Sequence, residues 1–174
     1  MNTAQIMGED EVKEAEDKLL EQILEGENPE DLVLVGIITR GVTLAKRLKN
    51  RIKKESGNNV GVGSLDTRPY RDDVTEDLEE DLTDIPFDIN GRNVVLVDDV
   101  MSTGRTIRAA MDALTQVGRP KSIKTAVLVD RGHRELPITA DYVGSVVLTS
   151  VKEKIKIKLR EVDGGRDRAI ISAE

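Results

Sequence analysis

The sequence predicts an α/β chain built on a wound, mostly parallel sheet flanked by helices. Continuous apolar runs of strand length, LVLVGII at 32–38, RNVVLVD at 92–98 and IKTAVLVD at 123–130, read as strands buried on both faces. Between them lie stretches with a single apolar stripe at helical spacing, and strands that alternate with helices wind into a parallel sheet.

The elements follow in chain order. Val12, Ala15, Leu19 and Ile23 recur at helical spacing over 9–25, and Gly26 ends that helix. After the strand at 32–38 comes TRG at 39–41, then a helix over 42–55 with Ala45, Leu48 and Ile52 on one stripe and Gly57 at its end. VGVGSLD at 60–66 is a strand, and the acidic, aperiodic RDDVTEDLEEDLTD at 71–84 is a long exposed loop. A helix over 104–117 puts Ile107, Ala110, Met111, Leu114 and Val117 inward and stops at Gly118. ADYVGSVV at 140–147 is a further strand. KIKIKLREV at 154–162 alternates strictly, with Ile155, Ile157 and Leu159 inward and lysines outward, the pattern of a protected edge strand.

Composition narrows the function. A chain of 174 residues suits one domain, 1–174, with no internal repeat or linker. A net charge of −7 gives no general attraction to nucleic acid or anionic lipid, and 2% aromatics leaves few platforms for stacked bases. Without cysteine there is neither a disulfide nor a thiolate metal site, which fits a reducing compartment. No secretory h-region and no apolar run of membrane-spanning length is read, so the expectation is a cytoplasmic protein with no membrane partner.

The chemistry concentrates in VVLVDDVMSTGRT at 94–106. Four apolar residues run into Asp98 and Asp99, two adjacent acids that repel and are costly to desolvate without a partner. Ser102, Thr103, Gly104, Arg105 and Thr106 then open a helix. There, unpaired amides and the helix dipole favour an anion, Gly104 lets backbone approach it, and three hydroxyls add donors. A phosphate cradle beside acids that accept from vicinal hydroxyls, or hold a hydrated Mg²⁺, describes a ribose 5-phosphate site. The plainer alternative makes Ser102 or Thr103 an ordinary helix cap. Gly61 and Gly63 lack the third glycine of a dinucleotide fingerprint, and no P-loop stands anywhere to pair with the acids. TRG at 39–41 and DRGHRE at 130–135 also follow strands, so three loaded segments are expected on one rim, at the carboxyl ends of the sheet.

VVLVDDVMSTGRT resembles the phosphoribosyl-pyrophosphate signature of type I phosphoribosyltransferases. LVGIITRGVTLAKRL at 34–48, YRDD at 70–73, MDALTQVGRP at 111–120 and VLVDRGHRELPITADYVG at 127–144 are similar to one branch, the PyrR-type pyrimidine operon regulators with uracil phosphoribosyltransferase activity. The resemblance spans about residues 30–150. It implies a small hood beside the wound sheet and a C-terminal antiparallel edge strand. It also implies that uracil and phosphoribosyl pyrophosphate, with Mg²⁺, give UMP and pyrophosphate, in a homodimer or homotetramer.

The same resemblance assigns roles. Asp98 and Asp99 would hold the ribose diol, with Asp98 contacting Mg²⁺ directly or through water. The segment from Val100 and Met101 through Ser102, Thr103, Gly104, Arg105 and Thr106 would hold the 5-phosphate. Thr39, Arg40 and Gly41 match the pyrophosphate loop, where a guanidinium grips two anionic oxygens at once. Residues 70–86 correspond to a mobile lid, with Arg71 its candidate for the catalytic contact to pyrophosphate and Glu76, Asp77, Glu79, Glu80, Asp81 and Asp84 turned to solvent. Asp130 and Arg131 would border the base pocket.

His133 and Arg134 would belong to an RNA surface. Ser102 stands where relatives acting on 6-oxopurines carry an acid, which argues for a pyrimidine; the PyrR branch more often has an aromatic there. The alternative function is a nucleotide-sensing regulator that binds operon leader mRNA with little or no catalysis. The acidic first helix, KEAEDKLLEQILEGE, weakens that reading, because phosphate neutralisation dominates RNA affinity.

Overall fold

The computed structural model describes residues 2–73 and 80–173. Eight strands, three long helices and one short one are seen among them: β1 (Thr3–Met7), α1 (Glu9–Gly26), β2 (Leu32–Ile37), α2 (Arg40–Ser56), β3 (Gly61–Leu65), β4 (Asn93–Met101), α3 (Arg105–Val117), β5 (Ser122–Asp130), β6 (Tyr142–Val146), β7 (Glu153–Lys158), α4 (Arg160–Asp163) and β8 (Arg168–Ala173). Five strands form a parallel sheet in the order β3-β2-β4-β5-β6, and the other three an antiparallel sheet, β1-β8-β7. The wound α/β architecture is as expected.

Alternation along the central strands sorts the core. Leu32, Leu34, Val95, Val97, Ala126 and Leu128 meet the buried stripes of α1 and α2, including Leu19, Ile23, Leu44 and Leu48. Val33, Val35, Val94, Leu96 and Val127 meet Ile107, Ala110 and Leu114 of α3 on the opposite face. A strand covered on both sides has no polar face to show, which is why these runs are continuously apolar.

Three boundaries near the rim differ from expectation. β4 does not stop at Asp98. It continues in register with β5 to Met101, so both acids lie within the strand. α2 begins at Arg40, two residues early, which places Arg40 and Gly41 in its first turn. The edge strand read at 154–162 closes at Lys158, and Arg160–Asp163 turns into α4. That strand edges the separate antiparallel sheet, because β8 pairs with it and β1 pairs with β8. β1 and β8 are short and weakly alternating, and were not anticipated.

The antiparallel sheet sends Met7, Ile155, Ile157 and Ala169 into the core shared with α1, α2 and the central strands, and ion pairs add to that attachment. Arg47 of α2 donates to Glu16 of α1 at 2.6 Å, to Asp167 at 2.7 Å and to Glu161 of α4. Burial raises the Glu16 pKa, with Arg47 opposing; burial is also the largest single influence on Asp167, but Arg47 and the Arg160 amide and charge together hold that carboxyl below its usual range.

Two glycines set how closely α2 approaches the sheet. A Cβ on Gly36 would lie 2.4 Å from the Cα of Val42, and one on Gly41 would lie 2.3 Å from the carbonyl oxygen of Val97. The first turn of α2 thus rests on the backbone of β4 one residue before Asp98. Gly41→Ala is expected to destabilise the fold by about 2 kcal/mol, because neither backbone can yield. Urea unfolding checks this; a midpoint equal to that of the parent chain would show the approach to be relaxed.

Candidate functional site

Three loops leave the carboxyl ends of β2, β4 and β5 on one rim, as expected. With the ends of β4 and β5 and the first turns of α2 and α3, they carry Thr39–Arg40–Gly41, the 98–106 segment and Asp130–Arg134. The Ile38–Thr39 peptide bond is cis.

The alternation that sends Val94 and Leu96 toward α3, and Val95 and Val97 toward α1 and α2, continues through the acids. Asp98 therefore lines a cavity of about 180 Å³ with Arg71, Ser102, Thr103, Gly104 and Thr106. Asp99 lines an adjoining cavity of about 310 Å³ with Arg40, Lys156 and Lys158, and Val100 borders both. The pair straddles the strand end and addresses two compartments.

Asp98 is buried, 8% exposed. Burial raises its pKa well above the carboxylate range, and the neighbouring Asp99 carboxylate adds to the shift. The Asp99 amide, donating at 2.9 Å, and the charge of Arg71 oppose it. Asp99 in turn accepts from the amide of Val100 at 2.8 Å.

The cradle opens at Gly104, whose φ of 93° lies in the left-handed region, so the chain can turn sharply into α3. The first amides of α3 have no earlier turn to pair with. The Ser102 hydroxyl donates to the carbonyl of Gly132 at 3.0 Å, tying the cradle to the loop after β5. Thr103 accepts through Oγ1 from the Arg105 amide at 3.2 Å, and its carbonyl receives the amides of Glu135 and Leu136. Neither Ser102 nor Thr103 caps α3; its N-cap is Gly104.

The rim arginines each hold a carboxylate. Arg71 donates to the Thr106 hydroxyl at 2.8 Å, which places it over the cradle, while its other edge grips Asp73 at 2.7 Å. Arg105 is turned away from the cradle to bridge Asp72 and Glu135. Arg40 pairs with Asp163 of α4 through Nε at 3.1 Å and Nη2 at 2.6 Å.

Arg134 faces inward. It pairs doubly with Asp130 and also donates to the carbonyls of Ser102 and Ile138. It holds the Asp130 carboxyl below its usual range. Arg131 donates to the Thr149 hydroxyl at 3.2 Å, and His133, at a positive φ of 64°, places Nε2 2.8 Å from the Thr149 carbonyl.

Three participants were not singled out from sequence. Lys156 and Lys158 are expected to face solvent, and Lys156 is exposed and Lys158 half-buried, but both also line the Asp99 cavity because β7 lies against the end of β4. Asp163 follows directly on the strand expected at 154–162; only the turn into α4 brings it to Arg40. Of the acids assigned to the lid, Glu80, Asp81 and Asp84 are exposed, while Glu76, Asp77 and Glu79 lie outside the described residues. The lid base is pinned by buried Asp66, which accepts from the Leu82 amide and from Arg68.

Asp98 yields a prediction with opposite signs for stability and activity. A folded-state pKa above the unfolded value means that folding favours the protonated acid, so stability falls as pH rises from the unfolded pKa toward the folded one. Asp98→Asn removes that penalty and should raise the melting temperature by about 2–4 °C at pH 7, a gain that shrinks in acid. Calorimetry across pH checks it; a lower melting point at every pH would show that the carboxylate is a net structural asset.

Comparison with known proteins returns one consistent group. A family model described as Phosphoribosyl transferase domain matches residues 4–157. Bifunctional protein PyrR of Listeria welshimeri is 51% identical over 174 residues, covering 96% of this chain and 95% of the relative. The Bifunctional protein PyrR of Bacillus velezensis is 52% identical over 166 residues, 92% of each. Among solved structures, a hypoxanthine-guanine phosphoribosyltransferase from Bacillus anthracis superposes with a TM-score of 0.74 over the whole of both chains at 24% identity. A hypoxanthine phosphoribosyltransferase from Staphylococcus aureus gives 0.73 at 19% identity, over 98% of this chain and 92% of that one. At such identities the superpositions speak for the fold alone.

Proposed function

The chain belongs to the phosphoribosyl transferase family, and from that premise we propose that it is a uracil phosphoribosyltransferase of the PyrR type, forming UMP and pyrophosphate from uracil and phosphoribosyl pyrophosphate. The observation that carries the reading is the pair of adjoining cavities, one with a phosphate cradle and one with cations, divided by two adjacent carboxylates. A ribose lying across the strand end would dock its 5-phosphate on the amides of α3 and the Thr106 hydroxyl. Its diol would face Asp98 and Asp99, and its diphosphate would lie toward Arg40.

The reaction joins a nitrogen of the base to the sugar carbon as the carbon–oxygen bond to pyrophosphate breaks, and the base gives up a proton. Charge builds up on the leaving diphosphate and positive charge on the sugar. Arg40 and the α2 N-terminus suit the first and the carboxylates the second, while the lid residues about Arg71 exclude water. Among the described residues no group of three or more His, Cys, Asp or Glu is arranged to hold a metal. Two adjacent carboxylates nevertheless fit Mg²⁺, which commonly binds through one or two acids, water and substrate phosphates. Asp98 would hold it, directly or through water, and it would neutralise diphosphate charge. A cytoplasmic homodimer or homotetramer is part of the same proposal; no described helix is long and apolar enough to cross a membrane.

A panel of nucleobases with phosphoribosyl pyrophosphate and Mg²⁺, scored for pyrophosphate release, tests the reading. Uracil should be turned over and hypoxanthine not, and Asp99→Asn should lose most of the rate. Turnover of a purine alone would replace the proposal, and an unchanged rate in Asp99→Asn would remove that acid from the site.

The regulatory role that the PyrR resemblance implies carries over as weak contact with a pyrimidine-operon leader RNA. Arg131, His133 and Arg134 are all engaged within the fold, and α1 opens with Glu9, Asp10 and Glu11. Affinity should therefore be low and fall steeply with salt. Filter binding over a salt series checks this; tight, UMP-enhanced and sequence-selective binding near physiological salt would contradict it.

A further inference from the structure

Asp163 lies in the C-terminal turn α4, far along the chain from the loops that the motif identifies. It is nevertheless the carboxylate that the rim's first arginine selects. The Arg40 guanidinium lies flat against it, with Nε 3.1 Å from Oδ2 and Nη2 2.6 Å from Oδ1. A second cation of the same cavity, Lys158, reaches it at 3.3 Å. The carboxylate is itself anchored, accepting the Leu159 amide at 2.9 Å, and only 13% of its side chain is exposed. Arg40 holds it well below the usual carboxylate range, with burial opposing and the Leu159 amide assisting, so it is an anion at every working pH.

Two roles are open to such a carboxylate. It could occupy the place of the substrate anion and compete with it, or it could stand behind the cations and aim them. Geometry separates these. Arg40 and Lys158 line the cavity of about 310 Å³ with Asp99, whereas Asp163 does not line it. The pairing also uses one edge of the guanidinium, Nε and Nη2, and among the described residues Nη1 takes no hydrogen-bond partner. A planar fork held along one edge presents its other edge in a fixed direction, and less side-chain entropy is then lost when an anion docks.

We propose that Asp163 is a positioning residue for diphosphate: through its bidentate contact with Arg40 and its contact with Lys158, it aims both cations into the cavity beside Asp99. The proposal rests on the reading of that cavity as the diphosphate end of the substrate. It makes α4 and β7 part of the anion site, joined by side chains 123 residues apart in sequence.

The test uses inorganic pyrophosphate with Mg²⁺, titrated calorimetrically into the whole protein, so that no base or turnover is needed. Asp163→Asn should weaken binding about tenfold, as expected for loss of a charged hydrogen-bonded contact. In turnover the same variant should raise KM for phosphoribosyl pyrophosphate, leaving KM for uracil and kcat near those of the parent. In an Arg40→Ala background the Asn substitution should cost less than it does in the parent chain, since its larger effect passes through the guanidinium and only the Lys158 contact is left. Should Asp163→Asn not fold, Asp163→Ser keeps an acceptor for the Leu159 amide and carries the same comparison. Equal or tighter pyrophosphate binding by the folded variant overturns the proposal, and tighter binding identifies Asp163 as a competitor. An equal loss in the Arg40→Ala background also overturns it, reducing Asp163 to a structural anchor. A parent chain that binds no pyrophosphate would instead remove the diphosphate reading on which it rests.

Discussion

The site depends on a carboxylate that the fold buries at the end of its central strand. β4 is apolar from Val94 to Val97 and packed on both faces, and Asp98 follows without leaving the sheet. Water is largely excluded there, so the acid's charge is costly and its electrostatic reach is long. A site built around such a group concentrates field where a sugar would sit. It draws on stability that an amide side chain would leave intact.

Everything nearby answers that charge. The chain is net negative, −7, yet its candidate ligand is a polyanion. The rim resolves the conflict by pairing nearly every cation with an acid of its own: Arg40 with Asp163, Arg71 with Asp73, Arg105 with Asp72 and Glu135, and Arg134 with Asp130. Such pairs on a surface contribute little to stability, but they restrict where a guanidinium can point. Attraction for anions at the rim is thereby directed into the cavities.

The same pairing separates two roles that one segment could have shared. Arg134 and Asp130, both at the end of β5, form a brace under the cradle that reaches the carbonyl of Ser102. Arg105, inside the motif, spans from the base of the lid to Glu135 and not to the cradle it belongs to in sequence. Membership of a motif is thus no guide to which side of a loop a side chain takes.

Much of this was legible in the residues. Continuous apolar runs gave the central strands, because burial on both faces leaves no alternative pattern, and the acid pair before a hydroxyl-rich helix start marked the residues that line the cavity proposed for a ribose phosphate. The amphipathic stripes located α1, α2 and α3 to within a few residues. Short strands were not legible. TAQIM at β1 and RAIISA at β8 owe their pairing to each other and to β7, and a pair of strands far apart in sequence leaves little local trace. Nor could the sequence tell that Asp98 and Asp99 enter different cavities, that Lys156 and Lys158 border the Asp99 cavity, or that Asp163 meets Arg40. Hydrophobic periodicity is a local property of the chain and could be read directly. Which charges meet was decided only when α4 and β7 folded back over the end of β4, since ion pairing depends on distance in space and not on order in the chain.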